Sequence, residues 1–248
     1  MILRKGLIRQ EIPLAEKIIT AKLKANDRLC RRQLKKKTRK LKISKKLRIP
    51  KRYHEEALTK QGFTNIAGLD EVGRGALAGP LIAAAVILSV KKIYKIRDSK
   101  LLNSKLRNLL AAKIKKEARC YAIGKASVSE IKKLGLQPAT YLAFKRAVSK
   151  LKAKPDFLLI DAYTLPESEI LQKGIKKGDL ICTSISAASI VAKDYRDKLM
   201  IKLHKKYPHY RFDLHKGYGT ALHLERLKQY GPSKIHRQNF APVKNLTF

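Results

Sequence analysis

IAGLDEVGRGALAGP, residues 66–80, runs from an apolar stretch into two adjacent carboxylates, Asp70 and Glu71, and then into a glycine-flanked arginine, Gly73-Arg74-Gly75. Only 19 of the 248 residues are acidic and the net charge is +38. An ordinary Asp-Glu pair lies in a solvated turn, but this one stands where a buried strand opens into a glycine loop. Two further carboxylates have comparable settings. Asp161 closes the apolar run at 157–160, and Asp179 follows Lys177-Gly178 just before a Ser/Ala-rich helical pattern. Strand ends are where α/β folds build their sites. Hard divalent cations take oxygen ligands, and two such ions about 4 Å apart can clamp the attacking and leaving oxygens of a phosphoryl transfer. Asp70, Glu71, Asp161 and Asp179 are the candidate ligands, and only the fold can decide whether they converge.

Outward from that stretch, strand-like and helix-like periods alternate, the pattern of an α/β or mixed fold with a largely buried sheet. Strands are expected at 65–70, 81–88, 121–126 and 157–161. Leu106, Leu109, Leu110 and Ile114 recur at helical spacing across 104–118, and Ser127 with Glu130 has the form of a capping box. Pro138 suits the first position of a helix over 138–152, and 185–205 carries a long amphipathic pattern. The stretch 51–62 reads as a short helix closing at Gly62 before the first core strand.

Residues 1–50 differ from the rest. They hold basic clusters such as Arg31-Arg32 and the run at 35–40, interleaved with Ile and Leu, and form a basic extension expected to be helical. So dense a single-sign field concentrates polyanions and supplies sequence-independent phosphate contacts. Charge alone also suits a basic RNA-binding protein of ribosomal style, which leaves the four carboxylates unexplained. A third reading is another two-metal nuclease, such as an exonuclease.

The remaining composition narrows the class. At 44% hydrophobic residues the chain can bury one sizeable core, and its apolar runs fall well short of the ~20 residues that span a bilayer. Cys30, Cys120 and Cys182 have neither paired nor zinc-type spacing, so reduced thiols in a cytoplasmic protein are expected. Ser184, Ser186 and Ser189 look like small residues at a packed helix interface rather than nucleophiles.

Residues 64–244 carry a colinear series: GLDEVGRGALAGP (68–80), DSK (98–100), LIDAYTLP (159–166), KGD (177–179), ISAASIVAKDYRD (185–197), HKGYGT (215–220), HLERLKQYGPSKIHR (223–237) and FAPV (240–243). In this series the chain resembles ribonuclease HII, the type 2 ribonuclease H, and Arg74 between its glycines favours that type over the sister type HIII. The resemblance implies a ribonuclease H-like mixed central sheet flanked by helices, with a helical C-terminal portion, over 51–248. It implies a monomeric endonuclease that cuts the RNA strand of RNA–DNA hybrids and nicks 5′ of ribonucleotides embedded in duplex DNA, as in ribonucleotide excision repair, leaving 3′ hydroxyl and 5′ phosphate ends. It further implies two Mg²⁺ or Mn²⁺ ions on Asp70, Glu71, Asp161 and Asp179. Gly73, Arg74 and Gly75 would sense the ribose 2′-OH, and Tyr218 would pack on the next, deoxy sugar. Lys100 and Lys193 would lie near substrate phosphates, where His215 could also make contact. The chain departs from the family pattern at Leu101, Ala76 and Gly135, none of them a metal ligand.

Overall fold

A computed structural model describes residues 52–89 and 103–245. The basic extension at 1–50 and the DSK motif with Lys100 lie outside the described residues. The apolar run at 66–69 continues into β1 (Ile66–Val72), which is central in a five-stranded sheet. Its neighbours are β2 (Leu81–Ile87), antiparallel, and β4 (Phe157–Asp161), parallel. β3 (Cys120–Ala126) extends the β2 side antiparallel and β5 (Leu171–Ile175) the β4 side parallel, so the order is β3-β2-β1-β4-β5. β2 is buried at all seven positions, as a strand covered on both faces must be.

Helices cover both faces. α2 (Ser104–Glu117) and α6 (Thr183–Lys206) pack on one, where Ala111, Ile114, Ala188 and Val191 meet Ile82, Ala84 and Val86. α3 (Val128–Leu134) and α4 (Leu136–Ser149) lie toward the other, and there Ala139, Ala143 and Phe144 meet Leu69, Ala83 and Ala85. Each fully buried Leu, Ile or Phe in these layers contributes roughly 1.5–3 kcal/mol relative to exposure. α1 (Tyr53–Lys60) docks through buried Glu55, whose Oε1 accepts the Ser184 N–H at 2.6 Å and so satisfies a free amide at the start of α6. After α5 (Gly178–Ile181) and α6 come a 3₁₀ turn (Pro208–Tyr210), α7 (Phe212–His215), α8 (Ala221–Tyr230) and α9 (Ala241–Lys244). These enclose a separate cluster of Leu77, Ala78, Met200, Tyr210, Phe212, Leu227 and Val243. No helix among the described residues is long and apolar enough to cross a membrane.

Several local readings hold in detail. Ser127 and Glu130 form the reciprocal capping box, and the Arg146 guanidinium, at 2.7 and 3.0 Å, holds Glu130 down to about 2. Others need correction. β5 has no counterpart among the expected strands, because an edge strand that buries only its last residue has no apolar period to show. Pro138 is the third residue of α4, still within the first turn where a missing N–H costs nothing. The start of α6 is not amphipathic: residues 183–192 are buried on every side. In α2, Leu106 and Leu109 are exposed, and Ala111 and Ile114 make the core contact. Gly135, at φ +85° and ψ 167°, joins α3 to α4 in a backbone conformation that is essentially restricted to glycine.

Candidate active site

Register brings the first carboxylates together. β1 and β4 run parallel, with Leu69 opposite Ile160, so Asp70 and Asp161 follow side by side at the same end of the sheet. Gly68 lets the helix that covers this end sit directly on the strand: a Cβ there would lie 2.1 Å from the Ser184 carbonyl carbon. That contact lays α6 over β1 and sets Ser189 against the Asp70 carboxyl, to which it hydrogen-bonds. Ser189 is therefore part of the site, although its spacing reads only as helix packing.

Asp70, Glu71, Val72, Asp161, Ser189, Lys193 and Tyr218 line one cavity of about 230 Å³. Burial first, and then the neighbouring charges of Glu71 and Asp161, push the Asp70 carboxyl well above the usual carboxylate range. Hydrogen bonds from Ser189 and from the Glu71 N–H, which donates to Asp70 Oδ1 at 2.8 Å, offset this in part. Mutually repelling carboxylates in one cavity form an all-oxygen donor set suited to a hard divalent cation. Among the described residues no three such side chains already stand in a ligating arrangement.

Asp179 does not line the cavity. It is buried at the start of α5, immediately after Gly178, whose N–H donates to Asp161 Oδ1 at 2.8 Å. The backbone turns sharply at both sides of this contact, with Ala162 at φ +61° and Lys177 at φ +57°.

The glycine loop follows directly on Glu71 and Val72 of the cavity wall. The Arg74 side chain is anchored away from the cavity, donating to Gln137 Oε1 at 3.0 Å and Thr140 Oγ1 at 2.9 Å and lying 5.1 Å from the Tyr163 ring centroid. Its Nε stands 3.8 Å from Glu71. What the loop presents is thus backbone. Tyr218 faces it from the loop after α7, bridged to Ala76, with Leu77 and Ala78 N–H groups donating to the Gly217 carbonyl at 2.8 and 3.2 Å. Lys193 Nζ, 5.5 Å from the Tyr218 ring centroid, is held at 2.7 Å by Asp197, which also takes Arg107 at 3.0 Å. Lys193 and Tyr218 are shared with an adjoining cleft of about 550 Å³ lined by Arg107, Lys198 and Lys216.

His215 borders the same cleft, but both its ring nitrogens are engaged within the protein. It is buried, its Nε2 lies 2.6 Å from the Tyr210 carbonyl, and its Nδ1 accepts the Gly217 N–H at 3.2 Å. Sequence spacing does not point to Gln137, Thr140, Tyr163 or Asp197, since each serves the site through another side chain.

The ribonuclease HII family model matches residues 67–243. The chain is 49% identical over 201 residues to the ribonuclease HII of Dehalococcoides mccartyi, an alignment covering 79% of this chain and 95% of that protein. It is 47% identical over 200 residues to that of Chlamydia caviae, covering 80% and 94%. Among solved structures it is similar to the ribonuclease H2 of Pyrococcus horikoshii OT3, with TM-score 0.63 and 28% identity over 73% of this chain and 96% of that one. The matched span runs from within β1 into α9 and takes in every wall of the cavity, and on it this chain belongs to the ribonuclease HII family.

Proposed function

We propose that this protein is an endonuclease that hydrolyses the RNA strand of RNA–DNA hybrids and nicks on the 5′ side of ribonucleotides embedded in duplex DNA, leaving 3′ hydroxyl and 5′ phosphate ends. The observation that most directly supports it is the gathering of Asp70, Glu71 and Asp161 in one cavity that Lys193 and Tyr218 also line. Members of this family depend on a divalent metal, and the all-carboxylate donor set fits Mg²⁺ or Mn²⁺. Asp70, Glu71 and Asp161 would hold the ions, with Asp179 assisting. When bound, the ions make water a competent nucleophile and neutralise charge on the leaving 3′ oxygen.

The protein's own groups then have distinct tasks. Gly73 and Gly75 bring main-chain N–H and C=O groups within reach of a sugar, and a ribose 2′-OH can both donate to and accept from them. Arg74 shapes that loop through its side-chain anchors. The Tyr218 ring would rest on the sugar 3′ to the ribonucleotide, where an added hydroxyl would collide with it. Lys193 supplies a positive charge for phosphate, held by Asp197.

The reading is tested on a duplex with one internal ribonucleotide, incubated with Mg²⁺ or Mn²⁺ and sized against markers. A single cut 5′ to the ribonucleotide is expected. Progressive shortening from an end, or no metal-dependent cleavage, would reject it.

A further inference from the structure

Two arginines, Arg196 and Arg237, are fully buried, and their hydrogen bonds run to main-chain carbonyls. Arg196 of α6 donates from Nε to Pro80 O at 3.2 Å, from Nη2 to Ala78 O at 3.1 Å and from Nη1 to Lys216 O at 2.9 Å. One guanidinium thereby joins the segment after the glycine loop to the loop that carries Tyr218. Its Cζ lies 5.2 Å from the Tyr218 ring centroid, so the same group also supports the ring. Gly73, at φ +93°, rests on it directly: a Cβ would come within 2.3 Å of Arg196 Nε.

Arg237 is arranged differently. Its Nε and Nη2 donate to Gly79 O at 3.0 and 2.9 Å, and its Nη1 to Arg74 O at 2.8 Å. These bonds all stay on the glycine-loop side. Burial, with the nearby Arg196 charge, brings Arg237 down to about 9, and burial lowers Arg196 as well. A buried cation is costly unless its donors are satisfied, and a planar fork with fixed directions satisfies several carbonyls only when they stand at set positions.

We propose that Arg196 is a positioning residue for substrate choice: its fork sets the spacing between the ribose-sensing glycine loop and the Tyr218 ring, and so governs recognition of a ribonucleotide followed by a deoxyribonucleotide. Arg237 sets the glycine loop alone. The proposal rests on the roles given above to that loop and to Tyr218. Lysine keeps the charge and the stem of arginine and removes the fork, so Arg196→Lys loosens the spacing without leaving a neutral void.

The experiment compares kcat/KM on a duplex with one internal ribonucleotide and on a continuous RNA–DNA hybrid, for wild type, R196K, R237K, Y218A and R196K/Y218A, with melting temperatures recorded for each. R196K is expected to lose about tenfold on the single ribonucleotide and no more than about threefold on the hybrid, since small misplacements of a positioning surface act on the geometry that needs both loops. The double variant should show the same ratio between substrates as Y218A alone, because Arg196 acts through that ring. R237K should lower both substrates alike. Equal losses on both substrates for R196K, or ratios that multiply in the double variant, would overturn the proposal. If Y218A leaves the ratio unchanged, the junction role of Tyr218 falls instead. Should R196K not fold, R237K still decides, since a loss confined to the single-ribonucleotide duplex would contradict the division between the two arginines.

Discussion

Asp70 concentrates the electrostatics of this site in one side chain. Burial and two neighbouring carboxylates disfavour its charged form, so its folded value lies above the unfolded one of about 4. A carboxyl whose folded pKa is raised contributes stability below the unfolded pKa, and that contribution is lost as pH rises through the folded value. In metal-free protein Asp70 therefore withdraws stability as pH rises above about 4, against the opposite trend of the buried histidines, so the melting temperature of Asp70→Asn should exceed that of wild type by a margin that grows across that range. Asp70→Asn and Asp161→Asn are expected to reduce cleavage to below about 1% of wild type while melting at the same temperature or higher in EDTA, given the usual scale for removing one preorganised group. Calorimetry across pH with a parallel cleavage assay checks both arms, and near wild-type turnover would take that residue out of the metal site. Asp179→Asn should be milder, because Asp179 does not line the cavity. Two of these carboxylates announce themselves in sequence by ending an apolar run. Ser189 and the anchors of Arg74 do not, since nothing in a linear pattern distinguishes a small residue that packs from one that bonds to a carboxylate 119 positions away.

At the scale of elements, the loop bearing Tyr218 is braced by a buried histidine chain. Ser233 N–H donates to His236 Nδ1 at 2.9 Å, the Nε2 atoms of His236 and His223 lie 3.1 Å apart, and His223 Nδ1 is 2.9 Å from the Tyr218 carbonyl. The chain closes only with both rings neutral: His236 Nε2–H donates to His223 Nε2, and His223 Nδ1–H donates to Tyr218 O. His215 stacks on His223 with centroids 4.3 Å apart. Burial drives His223 to about 4 and His236 to about 3. The unfolded chain, titrating near 6.5, binds more protons in the window between, so the stability held by this pair is complete above about 6.5 and drains as pH falls toward 4 and 3. The slope approaches about 1.4 kcal/mol per pH unit for each histidine, and the stretch from pH 6.5 to 4.5 precedes the acidic range in which Glu130 protonates. Urea unfolding across that window should show the decline, with His236→Gln showing about half of it. A His236→Gln profile parallel to that of wild type would mean that the ring is not held neutral. The histidines of 215–236 carry no metal spacing and read singly as surface or structural residues; only α7 and α8 folding back on each other stack them.

For the whole molecule, positive charge outweighs every other feature. Residues 1–50 hold 18 Lys and Arg against three acidic residues, within a chain of net charge +38. If that extension meets phosphate, each neutralised contact adds about 0.9 to the slope of log affinity against log salt. Deleting 1–50 should leave the cleavage position unchanged, weaken duplex binding most at low salt, and flatten that slope equally for all-DNA and ribonucleotide-containing duplexes, since a charge field reads no sugar. Affinity titrations at several salt concentrations, with the melting temperature of the same truncated protein, provide the check. An unchanged slope with a sharply lowered melting temperature would assign the extension's Ile and Leu residues to packing instead.

The amino-acid sequence by itself determined the family, the α/β alternation, four of the five strands and the carboxylates that end apolar runs, because each of these rests on local periodicity or on a contiguous motif. Tertiary structure decided the rest. Parallel register put Asp161 beside Asp70 across 91 positions of chain, the closeness of Gly68 to α6 brought Ser189 to the cavity, and the edge strand Leu171–Ile175 exists through pairing with β4 rather than through any pattern of its own. Arg196 is the plainest case. In sequence it is one more cation among 57 basic residues, and only folding buries it beneath two loops whose carbonyls it bridges, because hydrogen-bond direction is a property of space and not of spacing.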